Sequence, residues 1–90
     1  MTYADRIRRK LTEGLAPTRL EVIDESGRHA GHAGADRQGE THFRVTVVAG
    51  AFEGRSRVDR HRLVHALLAE ELAERVHALA LRAISPGEGD

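Results

Sequence analysis

Residues 41–48 read THFRVTVV. Phe43, Val45 and Val47 alternate with His42, Arg44 and Thr46, a period of two that gives a β-strand one buried face. This is the clearest strand in the chain, and the neighbouring elements are read from it. Upstream, residues 18–25 carry Leu20, Val22 and Ile23 and form a second strand. Downstream, Gly50 and Gly54 mark a turn, and Ser56 is an N-cap with Asp59 three residues on. Residues 56–74 are then helical, with Val64, Leu68 and Leu72 as a stripe widened by Leu63 and Leu67. Residues 76–84 are the last strand, with His77, Leu79, Leu81 and Ala83 on one face. Near the N-terminus, Tyr3, Ile7, Leu11 and Leu15 recur every four residues behind a Thr2–Asp5 capping pair. Gly14 and Pro17 mark the end of that helix.

The order is helix, strand, strand, helix, strand. The first two strands pair as a hairpin, and the long helix is a right-handed crossover to a parallel third strand. The expected fold is α/β (α+β), a two-layer sandwich with a three-stranded mixed sheet and its helices on one face. Residues 1–85 make one domain, and residues 86–90, with Pro86, Gly87 and Gly89, a flexible tail. Residues 26–40 hold Gly27, Gly31, Gly34 and Gly39 and no large apolar side chain. This loop carries His29 and His32 and is expected to be the most mobile internal segment.

Ninety residues allow one domain. Fourteen Lys plus Arg balance fourteen Asp plus Glu, which excludes a globally basic nucleic-acid binder and leaves room for a local basic patch. Cysteine is absent, and with it a disulfide scaffold, a Cys-based zinc site and a thiolate nucleophile. One Tyr, two Phe and no Trp are too few for a base-stacking platform. No apolar run approaches the ~20 residues of a membrane span, and the opening residues lack a signal-peptide pattern. A cytoplasmic protein with no membrane partner is expected. Neither G-x-S-x-G nor a P-loop occurs, so an enzyme is not expected.

Four strings, in this order, carry a resemblance: LEVIDESGRHAGHAG at 20–34, GETHFRVTVV at 39–48, FEGRSRVDRHRLVHALLAEEL at 52–72 and VHALAL at 76–81. Over nearly its whole length the chain resembles a BolA-family protein. The resemblance implies a fold like the type II KH domain and a monothiol glutaredoxin as partner, with a [2Fe–2S] cluster bridging the two. The glutaredoxin would supply its Cys and a bound glutathione thiol. This side would supply the His of the VHAL motif, His77, and a loop His, which maps onto His29. His32, three residues further on, leaves the loop ligand open between the two. The free chain is expected to be a monomer or a weak homodimer. The family also implies an alternative, a DNA-binding transcription regulator.

Read from the residues alone, His77 is a partly buried histidine satisfied by a backbone partner. The resemblance makes it an iron ligand, which suits a neutral imidazole held at a strand end. Two His cannot hold a cluster whose four ligands are mainly thiolates, so the missing thiolates must come from a partner. His61 and His65 stand one helical turn apart, but HRLVH lacks the Glu of HExxH. Arg55, Arg57, Arg60 and Arg62 cluster where the long helix begins. They are either a solvated face balanced by Glu53 and Asp59 or an anion-binding site helped by the helix dipole. A KH-style backbone clamp needs GxxG, and the run from Gly54 to Arg57 keeps only the first glycine.

Overall fold

The computed structural model describes residues 1–26 and 39–88. Helix α1 (Tyr3–Leu15) opens on the capping box as read: Asp5 N donates to Thr2 Oγ1 at 3.0 Å, and Thr2 N to the Asp5 carboxylate at 3.3 Å. Ile7, Leu11 and Leu15 are its buried face. Gly14 lies inside the helix rather than at its end. A Cβ at Gly14 would stand 2.9 Å from the Leu67 side chain, so this glycine lets two helices approach closely. The helix stops at Ala16, which takes the left-handed conformation (φ 45°), and Pro17 then cannot continue it.

Strands β1 (Arg19–Asp24) and β2 (His42–Val48) pair antiparallel, with Val22 opposite Val45. Strand β3 (Ala78–Ile84) runs parallel to β2, with Leu81 opposite Val45. The sheet order is β1-β2-β3, which is the expected hairpin plus crossover to a parallel strand. Each strand is slightly shorter than its pattern, and His77 lies just before β3 rather than within it.

Between β2 and β3 the chain makes a short 3₁₀ turn, Gly50–Phe52, and then two helices where the sequence reads one. Ser56 caps α2 (Arg57–Leu67), accepting from Asp59 N at 3.1 Å. Helix α3 (Ala69–Glu74) follows directly. Leu68, at the join, has φ −103° and ψ 18°, outside the helical region. Helical bonds from Leu68 N to Val64 O and from Leu72 N to Leu68 O still cross it, so the difference is a kink in one helical run. The core is one cluster: Ile7, Leu11 and Leu15 of α1, Phe43, Val45 and Val47 of β2, Phe52, Val64, Leu68 and Val76. Leu20, Val22, Leu79 and Leu81 pack against it from the outer strands, so the helices cover one face of the sheet. The stripe at 64, 68 and 72 is modified at its end: Leu72 is half-buried, and Glu71 is fully buried instead.

The expected mobility of the loop, and the positions of His29 and His32, fall within residues 27–38 and lie outside the described residues. Both ends of the loop are described, and both are tightly bonded. After β3, residues 85–88 turn back on themselves. The Glu88 carboxylate accepts from Ser85 N (2.8 Å), Ser85 Oγ (2.6 Å) and Arg60 (2.6 Å), a hold that the Pro and Gly content of this stretch does not suggest. Among the described residues no helix is long and apolar enough to cross a membrane.

Candidate functional site

The end of the sheet where β1 finishes and β2 and β3 begin is built from short polar side chains. Asp24 Oδ1 accepts from Ser26 N at 2.9 Å and Ser26 Oγ at 2.5 Å, and its Oδ2 accepts from Glu40 N at 3.1 Å. Ser26 Oγ in turn accepts from Thr41 N at 2.9 Å and His42 N at 3.2 Å. One carboxylate and one hydroxyl therefore join the two ends of the loop. Burial raises the Asp24 pKa, but the hydrogen bonds from Ser26 and Glu40 outweigh it and hold the carboxyl below its ordinary value. Gly39 and Glu40 both adopt positive φ, 75° and 63°. Glu40 accepts this uncommon backbone state while its carboxylate takes the Ala4 N–H at 3.1 Å, capping α1.

This loop base is also bonded to the segment that carries His77. Thr41 O accepts from His77 N at 2.8 Å and from Ala78 N at 3.2 Å. Arg75, two residues before His77, donates from Nε (3.1 Å) and Nη2 (2.9 Å) to Gly39 O. The backbone of His77 is thus fixed beside the point where the loop returns to the sheet. Its side chain is exposed and makes no hydrogen bond among the described residues. The reading of a ring satisfied by a backbone partner is therefore not what the structure has. The backbone N–H makes the bond and the imidazole is left open. His42, also at this end, is half-buried, with Nδ1 2.9 Å from Thr41 Oγ1.

His61 and His65 have ring centroids 6.4 Å apart. Among the described residues no three His, Cys, Asp or Glu side chains come together as a metal site.

The four arginines at the start of α2 do not act as one group. Arg60 donates to Arg55 O (3.1 Å), Ala83 O (3.1 Å) and Glu88 (2.6 Å), and its guanidinium sits 6.0 Å from the Phe52 ring centroid. It ties α2 to the edge of β3 and is largely buried. Arg55 donates to Ala51 O at 2.9 Å. Arg62 is exposed and stands outside the clefts beside β3, whereas Arg57 lines two of them together with Arg82. Arg82 was legible as the outward residue of the alternation Ala78, Ala80, Arg82, but nothing in its spacing linked it to Arg57.

A family model described as BolA-like protein matches residues 11–88. The chain belongs to the BolA-like family. It is 56% identical over 82 residues to human BolA-like protein 1, covering 91% of this chain and 57% of that protein. It is 46% identical over 81 residues to the DNA-binding transcriptional regulator BolA of Escherichia coli, covering 90% of this chain and 73% of that one. The chain thus spans little more than half the length of its human relative. Among solved structures, the BolA domain of SufE1 from Arabidopsis thaliana superimposes with a TM-score of 0.87 at 48% identity, covering 98% of this chain and 96% of that one. The α+β arrangement is therefore the BolA-like fold.

Proposed function

We propose that this BolA-like protein is a non-catalytic adaptor in iron–sulfur cluster assembly, trafficking or iron sensing. It shares a [2Fe–2S] cluster with a monothiol glutaredoxin, which also brings glutathione. The observation that carries this reading is the open imidazole of His77, held by its backbone at the base of the loop that contains His29 and His32. The donor set suits a shared cluster. The chain offers imidazoles and no thiolate, and clusters take four ligands with thiolates dominant, so half of the shell belongs to the partner. His77 and one of His29 and His32 are the ligands from this side.

The test is His77→Ala in the co-purified glutaredoxin complex, read by visible absorption and circular dichroism. The cluster spectrum is lost while the far-ultraviolet spectrum of the fold is kept. An exposed ring gives up little packing compared with the ~2–5 kcal/mol of a core Leu→Ala change. His29→Ala and His32→Ala are each milder than His77→Ala, and the double change matches it. A wild-type spectrum from His77→Ala sinks the reading.

A second reading, a DNA-binding regulator, is favoured by the arginine-lined clefts beside β3 and by the name of the Escherichia coli relative. Its test is a salt-dependent, sequence-selective shift of a promoter fragment by the lone protein.

A further inference from the structure

Along the outer edge of the sheet a second surface gathers positive charge without neutralising it. Arg57 is the first residue of α2, and Arg82 lies on edge strand β3. Both are exposed, and neither makes a hydrogen bond or an ion pair among the described residues. Two adjoining clefts, of about 410 and 440 Å³, share Arg57, Leu81 and Arg82 as walls. Arg55 extends the first, and Arg44 the second, although Arg44 also pairs with Glu25 at 3.0 Å. Among the described residues one carboxylate, Glu88, lines these walls, and it is already engaged by Ser85 and Arg60. Those bonds, the Ser85 hydroxyl first, hold its carboxyl down at about 2, so it remains an occupied anion rather than a proton carrier. Arg60 is likewise spent on Glu88 and two backbone carbonyls.

A guanidinium fork matches one carboxylate or one phosphate edge. A lone carboxylate has two oxygens and is satisfied by a single Arg. Two partnerless guanidinia across one cleft, beside the positive end of an eleven-residue helix, suit a group with more oxygens and more charge. We infer that the β3 edge between Arg57 and Arg82 is a phosphate-binding site, with Arg44 at its margin. The ligand is a phosphate group, either free or within a nucleic-acid backbone. This deepens the DNA-binding reading by narrowing its contacts from the four arginines at the start of α2 to Arg57, joined by Arg82 and Arg44, and it rests on that reading only for the polymeric source.

The experiment titrates the protein with pyrophosphate and, separately, with a short DNA duplex. Amide shifts are followed by NMR and duplex affinity by fluorescence anisotropy at several salt concentrations. Arg57→Ala, Arg82→Ala and their double are compared with Arg62→Ala, whose site lies outside the clefts. Among the described residues Arg57 and Arg82 have no partner, so the variants keep the wild-type circular dichroism. Pyrophosphate is expected to move the amides around residues 57 and 82. Each clefted substitution lowers affinity about tenfold, the loss of one charge-assisted contact. For DNA it also reduces the salt slope by about one unit per lost phosphate contact. Arg62→Ala changes neither. Pyrophosphate binding without DNA binding supports the site with free phosphate as its source and removes the regulator reading. DNA binding that the double variant leaves intact overturns the site while the regulator reading stands. Binding of neither probe, or equal loss in Arg62→Ala, also overturns the site.

Discussion

Glu71 shows how much one side chain contributes. It is fully buried on α3, and α1 reaches it twice: Arg6 Nη2 lies 2.9 Å and Lys10 Nζ 2.8 Å from its Oε2. Arg6 also pairs with Glu74, whose Oε1 accepts from the Tyr3 hydroxyl at 2.8 Å. Burial raises the Glu71 pKa, but the bonds and charges of Lys10 and Arg6 outweigh it and hold the group below its usual value. Glu71→Gln removes the charge and keeps the volume. It is expected to destabilise the fold by about 1.5–3 kcal/mol, the range for a hydrogen bond to a charged group. The loss stays moderate because both cations are partly exposed, and Glu74 and Glu70 remain as partners. Urea unfolding measures it, and an unchanged midpoint would show that the buried pairs carry no net stability.

Among the elements, the sheet end at the loop base is held by bonds rather than by packing. Ser26 Oγ accepts two backbone N–H groups of the β2 start and donates to Asp24. Ser26→Ala leaves both N–H groups without that acceptor, at a cost of about 1–3 kcal/mol for buried groups. Hydrogen exchange should quicken at Thr41 and His42, while Val45 and Val47, in the central ladder, keep their protection. Equal protection of Thr41 before and after the change would show that β1 pairing alone closes this end. Because Thr41 O also receives His77 N, the same substitution probes how firmly the candidate ligand is placed.

For the molecule as a whole, the carboxylates set the response to acid. Asp24, Glu71, Glu74 and Glu88 all have pKa values lowered in the fold, Glu88 to about 2. The unfolded chain then takes up protons at a higher pH than the folded one, so stability rises with pH through this range. It is fully present above the ordinary carboxylate values near 3.8 and 4.5 and is lost as pH falls through the lowered ones. Thermal midpoints should stay level from neutral pH to about 5 and then drop steadily towards pH 2. A midpoint that rises on acidification would contradict these ion pairs.

The three strands, their pairing and the first helix were legible in the chain, because alternation in THFRVTVV and the four-residue spacing of Tyr3, Ile7, Leu11 and Leu15 are local signals that packing then obeys. The Thr2 and Ser56 caps were legible for the same reason: a cap acts within three residues. His77 could be named from a motif, but its exposure and its bond to Thr41 arise from β2–β3 pairing, some 36 residues apart in the chain. The kink at Leu68 has no breaker residue to announce it. In the sequence Glu71 is one of two neighbouring acids, Glu70 and Glu71, off the stripe of Val64, Leu68 and Leu72. Only the docking of α1 puts Arg6 and Lys10 over it and makes its burial tolerable. The arginines divide in the same way. Only three residues apart in sequence, Arg57 and Arg60 have the same charge, yet Arg60 closes the β3 edge while Arg57 joins Arg82 at a cleft, because side-chain roles follow neighbours in space rather than in the chain.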